Sequence, residues 1–194
     1  EISAGTVTTS GISSPTIYVD GLVGSSVETR QSQLIVVTTE TAIEVNQLSV
    51  GSISAFFEGV ITSVVLFESQ LSATQVSQLH AEISPNNFSP GVFTKNISNP
   101  EVDPVEEDLI LAYNLLPIFD RVHDQSPFLN DGGFNGNIFH EKNALGDCLR
   151  VGGGNYLGVS SNDSLNINDS LSVVFGIRFD SFNAGNNYIL EKGN

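Results

Sequence analysis

The chain has 194 residues, 40% of them hydrophobic, and sets 7 Lys and Arg against 22 Asp and Glu for a formal charge of −15. A field of that sign repels phosphate backbones and anionic membranes, which argues against nucleic acid as a partner. No apolar run reaches the roughly 18 residues of a membrane helix, so no insertion into a membrane by a helix is expected. The length suffices for one large or two small β domains, and Phe, Val, Ile and Leu set among Gly, Ser, Thr and Asn favour an all-β class. The single Cys148 forms no internal bridge, and the start of the chain shows neither a basic leader nor an initiator Met, so the text reads as an excerpt from something longer.

In chain order, "SPTIYVDGLVGSSVET" (residues 14–29) gives a strand that ends at Asp20-Gly21, a hairpin signal, and then a second strand. "SQLIVVTTETAIEVNQLSVGS" (32–52) and "SAFFEGVITSVVLFE" (54–68) are rich in β-branched residues and predict further strands, with a turn or bulge at Glu58-Gly59. The period then changes. Ser72 and Gln75 form a capping box, Leu71 and Val76 a hydrophobic staple, and Val76, Leu79 and Ile83 an apolar stripe, which together predict a helix of two or three turns lying on a sheet.

Residues 84–108 carry four Pro and an acidic end without a steady period, and read as a linker or a long surface loop. "LILAYNLL" (109–116) opens a new strand, and 120–137 reads as a polar, Gly-rich loop. In "LSVVFGIRFD", Leu171, Val173, Phe175, Ile177 and Phe179 alternate with Ser172, Val174, Gly176 and Arg178, the pattern of a half-buried strand. The Gly152–Gly154 run lies between strand-like stretches and reads as a tight turn, since a nucleotide-cradling loop needs a following helix.

Catalytic groups are hard to find. No strand carries alternating carboxylates that would face one cleft across ~5–10 Å, as glycoside hydrolysis requires. Glu40 and Glu44 have no third acid and no Trp platform beside them; His80, His123 and His140 have no metal spacing; Cys148 reads as a small strand residue. The chain is therefore expected to be non-catalytic. Asp120, Asp124, Asn130 and Asp131 gather in one loop of hard oxygen donors, as a calcium site or as a set of Asx-turns. Three Asn-x-Ser sequons, at Asn96, Asn162 and Asn168, are acceptors only after passage through a eukaryotic secretory pathway.

"IYVDGLVG" followed by "FFEGVITSVVLFESQLSATQVSQLHAE" resembles the closing half of a laminin G-like, concanavalin A-like jelly roll. "LILAYNLL", "DRVHDQSPFLNDGGFNGN", "NALGDCLRVGGGNYLGV" and "DSLNINDSLSVVFGIRFDS" resemble the opening half. The resemblance implies a closing half at 1–83, a linker at 84–108 and an opening half of a second domain at 109–194. Half a jelly roll leaves strand edges unpaired, so neighbouring domains of a tandem chain, the other half, or further copies must complete each one. It also implies Ca2+ near the loop holding Asp120, Asp124, Asn130 and Asp131. Thr62 and Ser63 stand where related closing halves usually carry paired acids, which puts a site in the first half in doubt. The implied role is a module at a cell surface, virion surface or other extracellular place that binds a glycan or a surface protein; a tail-fibre, decoration or filament part is the alternative.

Overall fold

The computed structural model describes residues 4–9, 12–44, 47–50, 57–82, 108–118, 121–143, 146–182 and 189–193. Ahead of the Pro-rich stretch lie β1 (Ala4–Thr6), β2 (Thr16–Val19), β3 (Leu22–Val23), β4 (Ser26–Glu28), β5 (Ser32–Thr39), β6 (Ile43–Glu44), β7 (Gln47–Val50), β8 (Gly59–Phe67) and helix α1 (Ala73–Glu82). After it come β9 (Leu109–Ile118), β10 (Arg121–Asp124), β11 (Gly132–Asn135), β12 (Phe139–Asn143), β13 (Gly146–Val151) and β14 (Tyr156–Val159). A 3-10 turn at Asp163–Leu165 leads to β15 (Asn166–Ile167), β16 (Leu171–Phe179) and β17 (Leu190–Gly193).

The all-β class is thus observed, with α1 as the α-helix among the described residues. Thirteen of the strands join in one antiparallel sheet, ordered β17-β7-β14-β11-β10-β9-β8-β16-β5-β2-β3, with β13 branching from β8 and β12 from β13. The two parts that the sequence sets apart at 84–108 contribute alternately to it. Across β9, β8, β16 and β5 the order is second part, first, second, first, and β7 likewise lies between β14 and β17. Each part therefore pairs strands of the other within this chain.

β8 carries the branch. Its Ser63–Phe67 end pairs with β9, its Gly59–Ile61 end with β13, and its other edge runs along β16. The register with β16 shifts at Gly176/Ile177, skipping Thr62, while Glu58-Gly59 stands where β8 begins. The Asp-Gly hairpin forms as read: Asp20 and Gly21 both take positive φ, at 50° and 80°, as a type I′ turn requires. Gly153 and Gly154 also take positive φ, in the tight turn between β13 and β14.

One apolar cluster joins Ile35, Val37, Val64, Leu66, Val173 and Phe175 to Val50, Val122, Leu157 and Val159. Strands from both ends of the sheet meet in it, so the sheet folds back on itself in the manner of a sandwich. The inward side chains of β16 are the five that its alternation picks out. Its other face is not half-buried as expected. Val174 there belongs to a second cluster with Tyr18, Leu34, Val36, Val65, Phe67 and Ala112, roofed by Leu71, Val76 and Leu79 of the helix region. Burying those three side chains contributes roughly 1.5–3 kcal/mol each, which fixes a helix too short to persist alone.

The capping box is reciprocal: Ser72 N donates to Gln75 Oε1 at 2.8 Å and Gln75 N to Ser72 Oγ at 3.3 Å. Ser72→Ala is expected to cost about 1 kcal/mol in a urea titration. An unchanged midpoint would mean that packing alone starts the helix. Ile83, the last residue of the expected stripe, lies outside the described residues.

Candidate functional site

Where the sequence reads as a polar, Gly-rich loop over 120–137, the chain makes two short strands, β10 and β11, around a tight loop. Val122 and Asp124 both point inward, and a register shift between them sets Asp124 opposite Tyr113 of β9. Asp124 is buried and hydrogen-bonded throughout. Its Oδ1 accepts from Ala112 N at 2.8 Å and Ser126 N at 2.9 Å; its Oδ2 accepts from Asn130 N at 2.7 Å and faces Ser126 Oγ at 2.6 Å. Three N–H donors, and a Ser126 hydroxyl that also reaches Ile110 O at 2.8 Å, meet the roughly four lone-pair sites of the carboxylate.

Asn130 is built in as firmly. Its Nδ2 donates toward Ile110 O and Ser164 Oγ, each at 3.0 Å, and its Oδ1 accepts from Asn162 Nδ2 at 2.7 Å. Its carbonyl accepts the Tyr113 hydroxyl at 2.5 Å. Burial, aided by the charges of Asp124 and Asp131, pushes that phenol far above its ordinary pKa and keeps it a donor. Asn162 also starts the 3-10 turn by accepting from Ser164 N, so this sequon residue clamps the loop to the turn that precedes β15.

Asp131 sits at the outer end. Its Oδ1 accepts from Asp124 N and lies 2.9 Å from His123 Nδ1, both side chains being partly exposed. The structure thus brings together Asp124, Asn130 and Asp131 of the calcium candidates, while Asp120 lies outside the described residues. Asp124 and Asn130 do not fit a calcium ion: their oxygens already carry N–H and O–H donors, which a cation would have to displace. Among the described residues no group of three or more His, Cys, Asp and Glu is placed to hold a metal. Ser63, at the position of doubt in the first half, accepts a hydrogen bond from Gly176 N.

The loop tip is apolar. Between the fixed points Ser126 and Asn130 stand Pro127, Phe128 and Leu129, with Phe128 42% and Leu129 65% exposed. Leu129 holds φ at +55°, a conformation that costs a side chain of its size about 1 kcal/mol. The sequence gives no sign of this, because the left-handed turn falls on Leu rather than Gly.

The remaining chemistry-bearing residues lie apart. His140 Nε2 pairs with Asp147 at 2.9 Å across the β12–β13 hairpin. Cys148 is buried, donates to Glu141 O, and has its pKa raised by burial, so it is a poor nucleophile. Glu40 is exposed just past β5. Tyr18 and Tyr113 are core residues, and Tyr156 accepts from Asn135 Nδ2.

Arg150 ties Glu141 of β12 to Asp180 past the end of β16, with Arg178 on the same Asp180. The Arg150 hydrogen bond holds the Glu141 carboxyl below its ordinary pKa. A carboxyl depressed on folding stabilises fully above its unfolded value, about 4.3, and loses that contribution as the pH falls through the folded value. Because the pair is partly exposed, Glu141→Gln is expected to cost less than about 1 kcal/mol at neutral pH and nothing once the parent's Glu141 is protonated. Urea midpoints followed from pH 7 downward check this; a deficit that persists in acid would show a packing effect instead.

Comparisons with family models, with curated proteins and with solved structures find no match to this chain.

Proposed function

We propose that the chain is a non-catalytic recognition module, displayed at a cell or virion surface, that engages a glycan or a surface protein through the loop at 123–131. On this reading its sheet is assembled from laminin G-like halves, as the sequence resemblance implies. One observation carries the reading: Asp124, the most thoroughly bonded polar group of the region, turns its charge inward to hold the loop, and what the loop offers outward is Phe128 and Leu129. A carboxylate so engaged is a positioning group and not an acid or base. Rim loops on a rigid β scaffold are where such folds carry recognition.

The test is a screen of the whole chain on glycan and cell-surface protein arrays, beside a variant with Phe128 and Leu129 both replaced by Ser. Binding that the variant loses, without turnover of the bound ligand, is the expected result. Turnover would overturn the non-catalytic part, and equal binding by the variant would move the site elsewhere.

A structural part, such as a fibre or filament subunit, is favoured by a different observation. Leu22 and Val23 of β3, at one end of the sheet order, are 76% and 73% exposed. Such an edge invites another chain. Sedimentation over a range of concentrations tests it, with assembly abolished by Leu22→Lys as the expected outcome.

A further inference from the structure

Resting on recognition by the same loop, we propose that the Phe128–Leu129 tip is the anchor for a protein partner that offers an apolar pocket edged by Lys or Arg.

Three observations converge on that partner. First, the tip is preformed. Phe128 N donates to Ser126 Oγ, Asn130 N to Asp124, and Asp131 N to Leu129 O, so both ends of the two-residue tip are fixed before anything binds. A partner meeting it need not order the loop, which removes one cost of association. Second, Leu129 is disfavoured twice in the free protein, by its positive φ and by its exposure to water. Gly or Asn at this position would avoid both penalties. Contact with an apolar surface is what would repay a leucine there, and strain of this kind is concentrated at ligand clamps.

Third, the surroundings select the occupant. Pro127, Phe128 and Leu129 have no polar side-chain atom, so the tip offers no side-chain hydrogen bonds to the hydroxyls of a sugar. A protein pocket asks for none. Beside the tip lie partly exposed Asp131 and exposed Asp163, the latter between Asn162 and Ser164, which both bond to Asn130. Against these stand the basic side chains of β10, His123, which is paired with Asp131, and Arg121, at the strand's far end from the loop. With −15 overall, a second copy of this chain is repelled and a basic rim is attracted.

The experiment uses the full chain as bait for a random-peptide display library, followed by titration of the selected peptides. The expected selection is of peptides that combine bulky apolar residues with Lys or Arg and that bind more weakly as salt rises. Phe128→Ser and Leu129→Asn are each expected to weaken them about tenfold or more. Leu129→Asn guards against misfolding, because Asn accepts positive φ: its melting temperature is expected to equal or exceed the parent's while its binding falls. Opposite signs in stability and binding are what a purely structural leucine would not give.

Selected peptides that lack basic residues, or that bind parent and both variants alike, would overturn the proposal. Glycan binding that depends on Leu129, with no peptide selected, would overturn the protein pocket while keeping recognition by the loop. No tip-dependent ligand of either kind would overturn both.

Discussion

Asp124→Ala is expected to cost about 3–5 kcal/mol, a large fraction of the roughly 5–15 kcal/mol that holds a domain folded. The substitution deletes a buried acceptor and strands the N–H groups of Ala112, Ser126 and Asn130, while the Ser126 hydroxyl keeps Ile110 O as an acceptor. Each buried donor left without a partner costs about 1–3 kcal/mol, less whatever water that enters the gap restores. Asp124→Asn keeps the shape and still fails in part, because all the partners are potential donors and an amide NH2 must face at least one of them. Its expected cost is about 2 kcal/mol. Asp131→Asn, by contrast, retains an acceptor for the Asp124 N–H and should cost less than about 1 kcal/mol.

Equilibrium urea unfolding of the three variants checks this ranking. If Asp124→Ala unfolded within 1 kcal/mol of the parent, the loop would not depend on its carboxylate. The same titration in calcium and in EDTA bears on the implied cation. With Asp124 and Asn130 engaged, the parent's midpoint is expected to stay where it is. A rise with calcium would place the ion on other oxygens, such as those of Asp131 and Asp120.

Cutting the backbone within 84–107 is expected to leave the two fragments associated. A protease site inserted there and cleaved after folding should give one native peak in size exclusion that separates into two only in denaturant. The reason lies in the strand order. β16 pairs with β5 and β8 on its two edges, and β8 also pairs with β9 and β13, so every central edge joins the fragments. Leu71 N and Ser69 O meet the Ser172 hydroxyl across the same divide. Removing the covalent link makes refolding bimolecular, so the thermal midpoint should fall and become dependent on concentration. Fragments that separate without denaturant would show that the interleaved sheet is not what holds the parts together.

Much of the fold is legible in the residues, and the reasons are local. The helix announces itself through Ser72, Gln75, Leu71 and Val76, and the β2–β3 hairpin through Asp20-Gly21, because caps and turns depend on a few neighbouring side chains. The alternation in β16 marks its inward face, but only the helix packed on Val174 makes the outward face buried too. β10 and β11 are hidden because an inward-facing position normally carries an apolar residue, and here one inward position is Asp124. A carboxylate faces the interior only when donors from several strands and loops converge on it, and that convergence is tertiary. The clustering of Asp and Asn in this loop is visible in the sequence, whereas the inward bonding of Asp124 and Asn130, and the strained leucine between them, depend on Ile110, Ala112, Asn162 and Ser164 from elsewhere in the chain.

The alternating strand order also fixes when this sheet can form. Gly176 N reaches Ser63 Oγ across 113 positions of sequence, and Leu71 N reaches Ser172 across 101. On a ribosome, β5 and β8 emerge long before the strand that belongs between them, so their edges must wait unpaired for β16. Sheets closed by such distant partners fold in milliseconds to seconds rather than microseconds, and their waiting edges are open to wrong pairings. Yield on overexpression should therefore respond to slowed synthesis or lower temperature more than to surface charge.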